Sequence, residues 1–238
     1  MDGVVTDTAR IHTTAWTRLF DDYLTNAAPS GVDRREFSLE DYQGYVDGRA
    51  RIDGVEAFLR SRGIELPHGT PEDPPGGTTA WALANRKNEF FHAALDAEGV
   101  HVFPSTIRLI DAVHAAGWRT AVVTASRNRA DVLAAAGIAD RFDAAVDGID
   151  AARLGLAGKP EPDTFLEAAR RLDIKPARGV LVEDARSGVA AGKAGRFGLV
   201  IGVDRVGQAR QLADAGADLV VNDLADVDLV TEQTEDEP

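Results

Sequence analysis

The chain has 238 residues, 44% of them apolar, which is enough for one large domain, or one domain with an insertion, around a sizeable core. Its net charge of -13 repels nucleic acid and anionic lipid, so we expect neither as a partner. No apolar run approaches the roughly 20 residues that cross a bilayer. The sequence has no cysteine, which excludes disulfides, thiolate metal sites and cysteine nucleophiles, and we expect a cytoplasmic protein.

Residues 9–97 are predicted to be helical. Apolar side chains recur there at helical spacing, for example at Trp16, Leu19 and Phe20, and no convincing strand lies between them. The Pro- and Gly-rich stretch 66–77 predicts a loop. We therefore predict a helical insertion at 9–97 in a core formed by residues 1–8 and 98–230. We expect the acidic tail at 231–238 to be disordered.

The second half of the chain alternates short apolar runs with helical patterns. We predict strands at 120–124, 179–184, 198–203 and 218–221, and helices at 105–117, 128–137, 163–173, 187–195 and 207–216. This alternation is typical of an α/β fold with a doubly wound parallel sheet. In such sheets the functional residues lie at the carboxyl ends of the strands.

Four motifs place polar side chains at predicted strand ends or in loops. They are "DGVVTDT" with Asp2, "TASRN" at 124–128, "GKPEPD" with Lys159, and "VEDARSG" with Glu183 and Asp184. Adjacent carboxylates suit Mg²⁺, hydroxyls and N–H groups at a helix start suit phosphate, and a lysine can neutralise the remaining charge. Only four of the 26 basic residues are lysine, which draws attention to Lys87 and Lys159. The residue types thus predict a metal–phosphate site.

Each motif also has a simpler interpretation. Asp2 could be a solvated terminal residue, and Lys159 could be a surface lysine. The hydroxyls at 124–126 and the carboxylates at 183–184 could each cap a helix. It is the occurrence of all four at one sheet edge that favours the metal–phosphate site.

Taken together, the four motifs carry a family resemblance. The order Asp-Gly-Val-Val-Thr-Asp, Thr-Ala-Ser, Gly-Lys-Pro, Glu-Asp resembles the haloacid dehalogenase superfamily of phosphotransferases, which has a Rossmann-like core. The helical insertion looks like the cap domain of that superfamily. Within it, "DGVVTDTARIHTTAW", "NRKN" at 85–88 and "GKPEPDTF" are most similar to the β-phosphoglucomutase group.

The resemblance implies roles for residues of the first motif. The superfamily motif is Asp-x-Asp-Gly, in which the first Asp is the nucleophile and the second the general acid/base. Asp2 and Gly3 match the second half and Met1 matches the spacer. The nucleophile and the first central strand are therefore expected ahead of Met1, and we expect the chain as printed to be either poorly stable or an incomplete, truncated version.

The resemblance implies the remaining core roles in the same way. Thr124, with the backbone N–H groups of Ala125 and Ser126, would hold the transferring phosphoryl group, and Lys159 would pair with it. Glu183 and Asp184, with the backbone carbonyl of Asp2, would bind Mg²⁺.

The resemblance also implies residues that contact the substrate. His12 would couple substrate binding to the acid/base step, Trp16 would line a sugar pocket, and Lys87 would be a cap lysine. Arg51, with Arg49 as the alternative, would hold a distal phosphate. Asn128 and its neighbour Arg127 would line the cleft. The simpler alternatives are that Trp16 belongs to the cap core, that His12 lies on a helix surface and that Thr8 only begins the cap helix.

The leading hypothesis is a monomeric, Mg²⁺-dependent enzyme that interconverts β-glucose 1-phosphate and glucose 6-phosphate through an aspartyl-phosphate. A sugar-phosphate phosphatase of the same superfamily is the first alternative. The second is a sugar-phosphate binder without catalysis, because the nucleophile is absent from the printed chain.

Overall fold

The computed structural model describes residues 1–230, so the acidic tail predicted at 231–238 lies outside the described residues. The first part of the chain, from Thr8 to Glu98, is helical, as predicted. The four helices of this part, which we call the cap helices, are α1 (Thr8–Asn26), α2 (Leu39–Asp41), α3 (Arg51–Ser61) and α4 (Ala80–Glu98), with a π-helical turn at Tyr42–Val46. The stretch 66–77 contains no helix or strand, which confirms the predicted loop.

Aromatic side chains hold the cap helices together. Phe20 of α1, Phe58 of α3 and Phe91 of α4 are fully buried, and the rings of Phe20 and Phe58 lie 4.0 Å apart. Helix α1 packs along α4, and α3 packs against α4. The apolar spacing read from the sequence therefore marks the faces that these helices bury.

The remainder of the chain alternates strands and helices. Its strands are β1 (Ala121–Val123), β2 (Ala144–Val146), β3 (Val180–Glu183), β4 (Leu199–Val203) and β5 (Leu219–Val221). Its helices are α5 (Pro104–Ala115), α6 (Arg129–Ala135), α7 (Gly148–Leu154), α8 (Asp163–Arg171), α9 (Arg186–Ala194) and α10 (Ala209–Asp214). All four predicted strands and all five predicted helices of this half are present; β2 and α7 were not predicted.

The strands pair in parallel, which confirms the predicted α/β class. They form two sheets, one of β1 and β2 and the other in the order β3-β4-β5. Among residues 1–230 no strand pairs with both β1 and β3, so the expected single sheet is divided into two. Helix α8 packs on β1 and β2, α9 on β3 and β4, and α10 on β4 and β5. None of the helices in the described part of the chain is long and apolar enough to span a membrane.

Two chain segments connect the cap helices to the α/β core, and they run side by side. Thr6 forms an antiparallel bridge with Val102. The N–H of Asp7 donates to the carbonyl of His101 at 2.8 Å, and the N–H of Phe103 donates to the carbonyl of Val5 at 3.0 Å. The division at residues 9 and 97 stays a prediction, with α1 beginning at Thr8 and α4 ending at Glu98.

Candidate active site

A cavity of about 360 Å³ lies between the cap helices and the carboxyl ends of the core strands. Every site residue predicted from the sequence lines it. These residues are Asp2, His12, Trp16, Arg49, Arg51, Lys87, Thr124, Ala125, Ser126, Arg127, Asn128, Lys159, Glu183 and Asp184. The fold thus brings together residues that are up to 182 positions apart in the sequence, as expected at the strand ends of an α/β protein.

The carboxylate of Asp2 is held from both sides of the cavity. Thr8 donates its hydroxyl to Oδ1 at 2.5 Å, and Thr124 donates its hydroxyl to Oδ2 at 2.8 Å. Nε2 of His12 lies 3.5 Å from Oδ1. Burial opposes ionisation, but the hydrogen bond and charge of His12 outweigh it and hold the pKa of Asp2 well below its usual range. Asp2 is therefore an ionised carboxylate in a fixed position, and the solvated-residue interpretation is wrong.

Thr124 lies directly after β1, where it begins a short loop of hydroxyl groups. Its oxygen accepts the N–H of Ser126 at 3.0 Å, and the hydroxyl of Ser126 accepts the N–H of Asn128 at 3.1 Å. Helix α6 begins after Asn128, and no side-chain hydrogen bond caps it. The loop therefore does not serve as a helix cap. Its hydroxyls face the cavity, where an anion can bind.

Lys159 and Glu183 form a buried ion pair at the base of the cavity. Their side chains are only 7% and 4% exposed, so the surface-lysine interpretation is wrong. Burial disfavours the ammonium, but the charge and hydrogen bond of Glu183 outweigh this and raise the pKa of Lys159. The lysine therefore stays positively charged in a region with little water.

A surplus of negative charge surrounds this pair. Burial and the charge of Glu183 raise the pKa of Asp184 well above its usual range, and they raise the pKa of Asp47 to about 6. Helix α9 begins at Arg186 with Ala185 as its N-cap, so the two adjacent carboxylates do not cap it. Buried carboxylates with too little positive charge match the oxygen ligands that Mg²⁺ prefers.

The backbone after Asp2 is shaped to lie against Asp184. Gly3 has a φ of 68°, and a Cβ built there would overlap the carboxylate of Asp184. Only glycine can therefore bring the main chain at position 3 this close to that carboxylate. Within residues 1–230 no three His, Cys, Asp or Glu side chains form a complete metal cluster. A metal held by two carboxylates and a backbone carbonyl is compatible with that finding.

The cap contributes a buried pair of nitrogen bases. Nζ of Lys87 lies 2.6 Å from Nδ1 of His12. Burial and the nearby Arg51 lower the pKa of Lys87 to about 7. Burial and Lys87 also lower the pKa of His12, whereas Asp2 opposes that shift. His12 stacks on the ring of Phe91 and lines the cavity, so the helix-surface interpretation is wrong.

The structure supports both interpretations of Trp16. The residue is 4% exposed and belongs to the cap core, where its ring stacks on Phe20 with centroids 5.3 Å apart. Part of it also lines the cavity beneath Lys87, whose Nζ lies 5.1 Å from the ring centroid. Thr8 likewise begins α1 and also binds Asp2.

Arg51 of the cap and Arg127 of the core loop both line the cavity. Burial and the charge of Arg127 lower the pKa of Arg51 to about 10. The buried Nε of Arg51 has no hydrogen-bond partner among the described residues. Arg49 is exposed, and its charge acts on the nearby carboxylate of Asp53. This arrangement favours Arg51 over Arg49 as a ligand for an anion.

Several further residues line the cavity without having been predicted. Asn88 of α4 accepts a hydrogen bond from the side-chain amide of Asn128 at 2.8 Å and so joins cap to core. Its position beside Lys87 in "NRKN" could have identified it. Tyr42, Asp47 and Trp81 also reach the cavity. Their sequence contexts contain no comparable indication.

Comparison with known proteins agrees with this geometry. The family model for haloacid dehalogenase-like hydrolases matches residues 1–196. The chain belongs to the haloacid dehalogenase-like hydrolase family. It is therefore an enzyme of a family of phosphotransferases and hydrolases, and the resemblance inferred from the four motifs is confirmed.

Within the haloacid dehalogenase-like family, the chain is similar to several β-phosphoglucomutases. The chain is 48% identical over 233 residues to a β-phosphoglucomutase of Mycobacterium bovis, covering 95% of this chain and 88% of the relative. It is 31% identical to a β-phosphoglucomutase of Bacillus subtilis, covering 96% and 89% of the two chains. A crystal structure of β-phosphoglucomutase from Clostridium difficile superimposes with a TM-score of 0.74 at 25% identity, covering 94% of this chain and 88% of the other.

Proposed function

We propose that this protein is a Mg²⁺-dependent β-phosphoglucomutase that interconverts β-glucose 1-phosphate and glucose 6-phosphate. The observation that carries the proposal is the presence of two separate groups for binding anions in one cavity. Thr124, Ser126 and Lys159 form the core group. Arg51 of the cap, with Arg127 of the core loop nearby, forms the second group. A mutase needs both groups, because its bisphosphorylated intermediate presents a phosphate at each end.

The chemistry proposed for this site is phosphoryl transfer through an aspartyl-phosphate. The carboxylate of Asp2 takes the proton of the attacking sugar hydroxyl and returns a proton when the sugar oxygen leaves. Lys159 and the N–H groups of Ala125 and Ser126 stabilise the charge that spreads over the transferring oxygens. In the superfamily motif Asp-x-Asp-Gly, the phosphoryl acceptor is the aspartate two positions before the one that Asp2 matches.

Mg²⁺ would be held by Glu183, Asp184 and the backbone carbonyl of Asp2. When bound, the ion neutralises negative charge on the transferring phosphoryl group. The raised pKa of Asp184 supports this assignment, since the carboxylate lacks sufficient positive charge from the protein itself. A cytoplasmic, monomeric enzyme remains the expectation.

Closure of the cap over the sugar would exclude water from the aspartyl-phosphate. The contact between Asn88 and Asn128 supports such a closed arrangement. His12 and Lys87 would then contact the sugar side of the cavity, and His12 would link sugar binding to the state of Asp2.

The phosphatase alternative remains because the family includes hydrolases and a phosphatase requires only the core anion group. The second anion group, at Arg51 and Arg127, is the feature that favours the mutase. A binder without catalysis is the third possibility.

The deciding assay supplies β-glucose 1-phosphate with a trace of glucose 1,6-bisphosphate and measures both glucose 6-phosphate and free phosphate. It uses two proteins: the printed chain, and the chain preceded by an apolar strand that ends in Asp directly before Met1. Isomerisation by the extended protein supports the proposal. Phosphate release without isomerisation contradicts it and favours the phosphatase. Mg²⁺-dependent binding without turnover by either protein favours the binder.

A further inference from the structure

The cavity extends beyond the two anion groups toward Trp81. Trp81 and Asn88 are seven residues apart on α4, so they lie on the same face of the helix about 10 Å apart. Asn88 is bonded to Asn128, beside the anion loop. Trp81 therefore lies two helical turns away from the phosphate-binding end of the cavity.

The side chain of Trp81 is only partly buried, whereas that of Trp16 is 4% exposed. Trp16 has Phe20 stacked on its ring and Lys87 above it. Trp81 uses its ring edge to donate the indole N–H to Nε2 of His68 at 3.2 Å. Glu56 fixes His68 in turn, through a contact of 2.6 Å to Nδ1. The indole is thus held in place by its edge while part of its surface lines the cavity.

The cavity at the Trp81 end is lined by polar side chains on the cap side and by small residues on the core side. On the cap side, Arg49 and Asp53 line the cavity. On the core side it is lined by small residues, namely Ala151 and Ala152 of α7 and Gly155, which follows that helix. A carboxylate accepts hydrogen bonds from hydroxyl groups, and a guanidinium donates to them. A neutral, hydroxyl-rich group can bond to both Asp53 and Arg49, whereas a phosphate would bond to the arginine and be repelled by the carboxylate.

On this basis we propose that Trp81, Asp53 and Arg49 form an outer subsite for a second sugar ring, so that the cavity accepts phosphorylated disaccharides. A pyranose ring stacks its C–H face on the indole while its hydroxyls bond to Asp53 and Arg49. The subsite rests on the proposed sugar-phosphate site, because the phosphate of the same molecule occupies the anion loop.

The test measures dissociation constants by calorimetry for glucose 6-phosphate and trehalose 6-phosphate, with the full chain in the presence of Mg²⁺. We expect the wild-type protein to bind the disaccharide phosphate more tightly. We expect Trp81→Ala to reduce that preference, the ratio of the two constants, about tenfold. Trp81→Phe, which retains a ring, should keep most of the preference. Trp118→Ala is the matched control, because Trp118 is 48% exposed and outside the cavity, and it should leave both constants unchanged.

The outcomes separate the subsite from the function. A wild-type protein that binds glucose 6-phosphate but shows no preference for the disaccharide phosphate overturns the subsite alone. The subsite is also overturned if Trp81→Ala and Asp53→Ala both leave the ratio of the two dissociation constants unchanged. If neither ligand binds the wild-type protein, the proposed function and the subsite both fail.

Discussion

Nζ of Lys87 lies 2.6 Å from Nδ1 of His12, which places two nitrogen bases in contact inside the cavity. Burial lowers the pKa of both groups, and each is a charged neighbour of the other when protonated. The electrostatic state of the cap side therefore depends on pH near neutrality and on whether an anion is bound.

The first prediction concerns the pH dependence that Lys87 gives to stability. The folded-state pKa of about 7 lies below the ordinary value of 10.5, so between these values the unfolded chain binds one proton more than the folded chain. The free energy of unfolding should therefore rise with pH in this range, by at most about 1.4 kcal/mol per unit.

The variant Lys87→Met lacks this titration and should be more stable than the wild type at pH 7. Its advantage should shrink as the pH rises toward 10. Urea denaturation at pH 7, 8 and 9 measures the difference. The exposed-lysine variant Lys193→Met is the control and should show no such change. A difference between Lys87→Met and the wild type that stays constant across the three pH values would contradict the prediction.

The second prediction contrasts a buried ion pair with an exposed one. Lys159→Met leaves the buried carboxylate of Glu183 without its cation and should lower the free energy of unfolding by about 3–5 kcal/mol in EDTA. Lys193→Met breaks the exposed pair with Asp218 and should cost no more than about 1 kcal/mol.

The double variant Lys159→Met with Glu183→Gln provides the internal check. It removes the uncompensated charge, so it should recover part of the stability that the single variant loses. Equal losses for Lys159→Met and Lys193→Met would show that the burial of the first pair has no energetic consequence.

The third prediction concerns the anion loop. The hydroxyl of Thr124 donates to Asp2 and accepts the N–H of Ser126, so Thr124→Val removes two hydrogen bonds that order the loop. We expect the affinity for inorganic phosphate to fall about tenfold, a change of about 1.4 kcal/mol. Thr14→Val makes the same chemical change on an exposed part of α1 and should leave phosphate affinity unchanged. Calorimetric titration of phosphate into both variants provides the comparison, and equal affinities would refute the assignment.

The fourth prediction uses two glycines with nearly the same backbone conformation. Gly48 has a φ of 70° and Gly63 a φ of 71°. A Cβ on Gly48 would overlap the hydroxyl of Ser187 in the core, whereas one on Gly63 would meet nothing within 4 Å. Both alanine variants should therefore lose about 1–2 kcal/mol of stability from the positive φ.

Only Gly48→Ala should also weaken the contact between cap and core. Ser187 donates its hydroxyl to the carbonyl of Asp47 at 3.2 Å, and the added methyl group would disturb this bond. We expect Gly48→Ala to raise the dissociation constant for glucose 6-phosphate, with Gly63→Ala unchanged. Matching constants in the two variants would mean that the Gly48 contact does not influence ligand binding.

Sequence patterns predicted most of the core, and the elements that they missed share a physical cause. Strand β2 is the sequence Ala-Ala-Val, which has little strand preference of its own. It is extended because it pairs in register with β1, from Ala121 opposite Ala144 to Val123 opposite Val146. Pairing with a distant strand cannot be read from three residues. The division of the strands into two sheets likewise depends on which distant strands pair, so it cannot be read from local sequence either.

The site was predictable where its residues follow strands or lie in recognisable motifs. Thr124 and Glu183 have such positions, and both line the cavity. Asp47 and Trp81 lie in the cap, and their nearness to the core depends on how the cap sits above the strands. The raised pKa of Asp47 arises from burial near Glu183, which is 136 positions away in the sequence. Local spacing contains no information about such an approach.

The paired connections between cap and core also limit how the cap can move. Because Thr6 and Val102 are bridged, and hydrogen bonds join their neighbours, neither connection can slide or swing without the other. The two connecting segments therefore form a single hinge rather than two independent linkers. A movement of the cap would therefore have to carry both connections together, and it would shift His12 relative to Asp2.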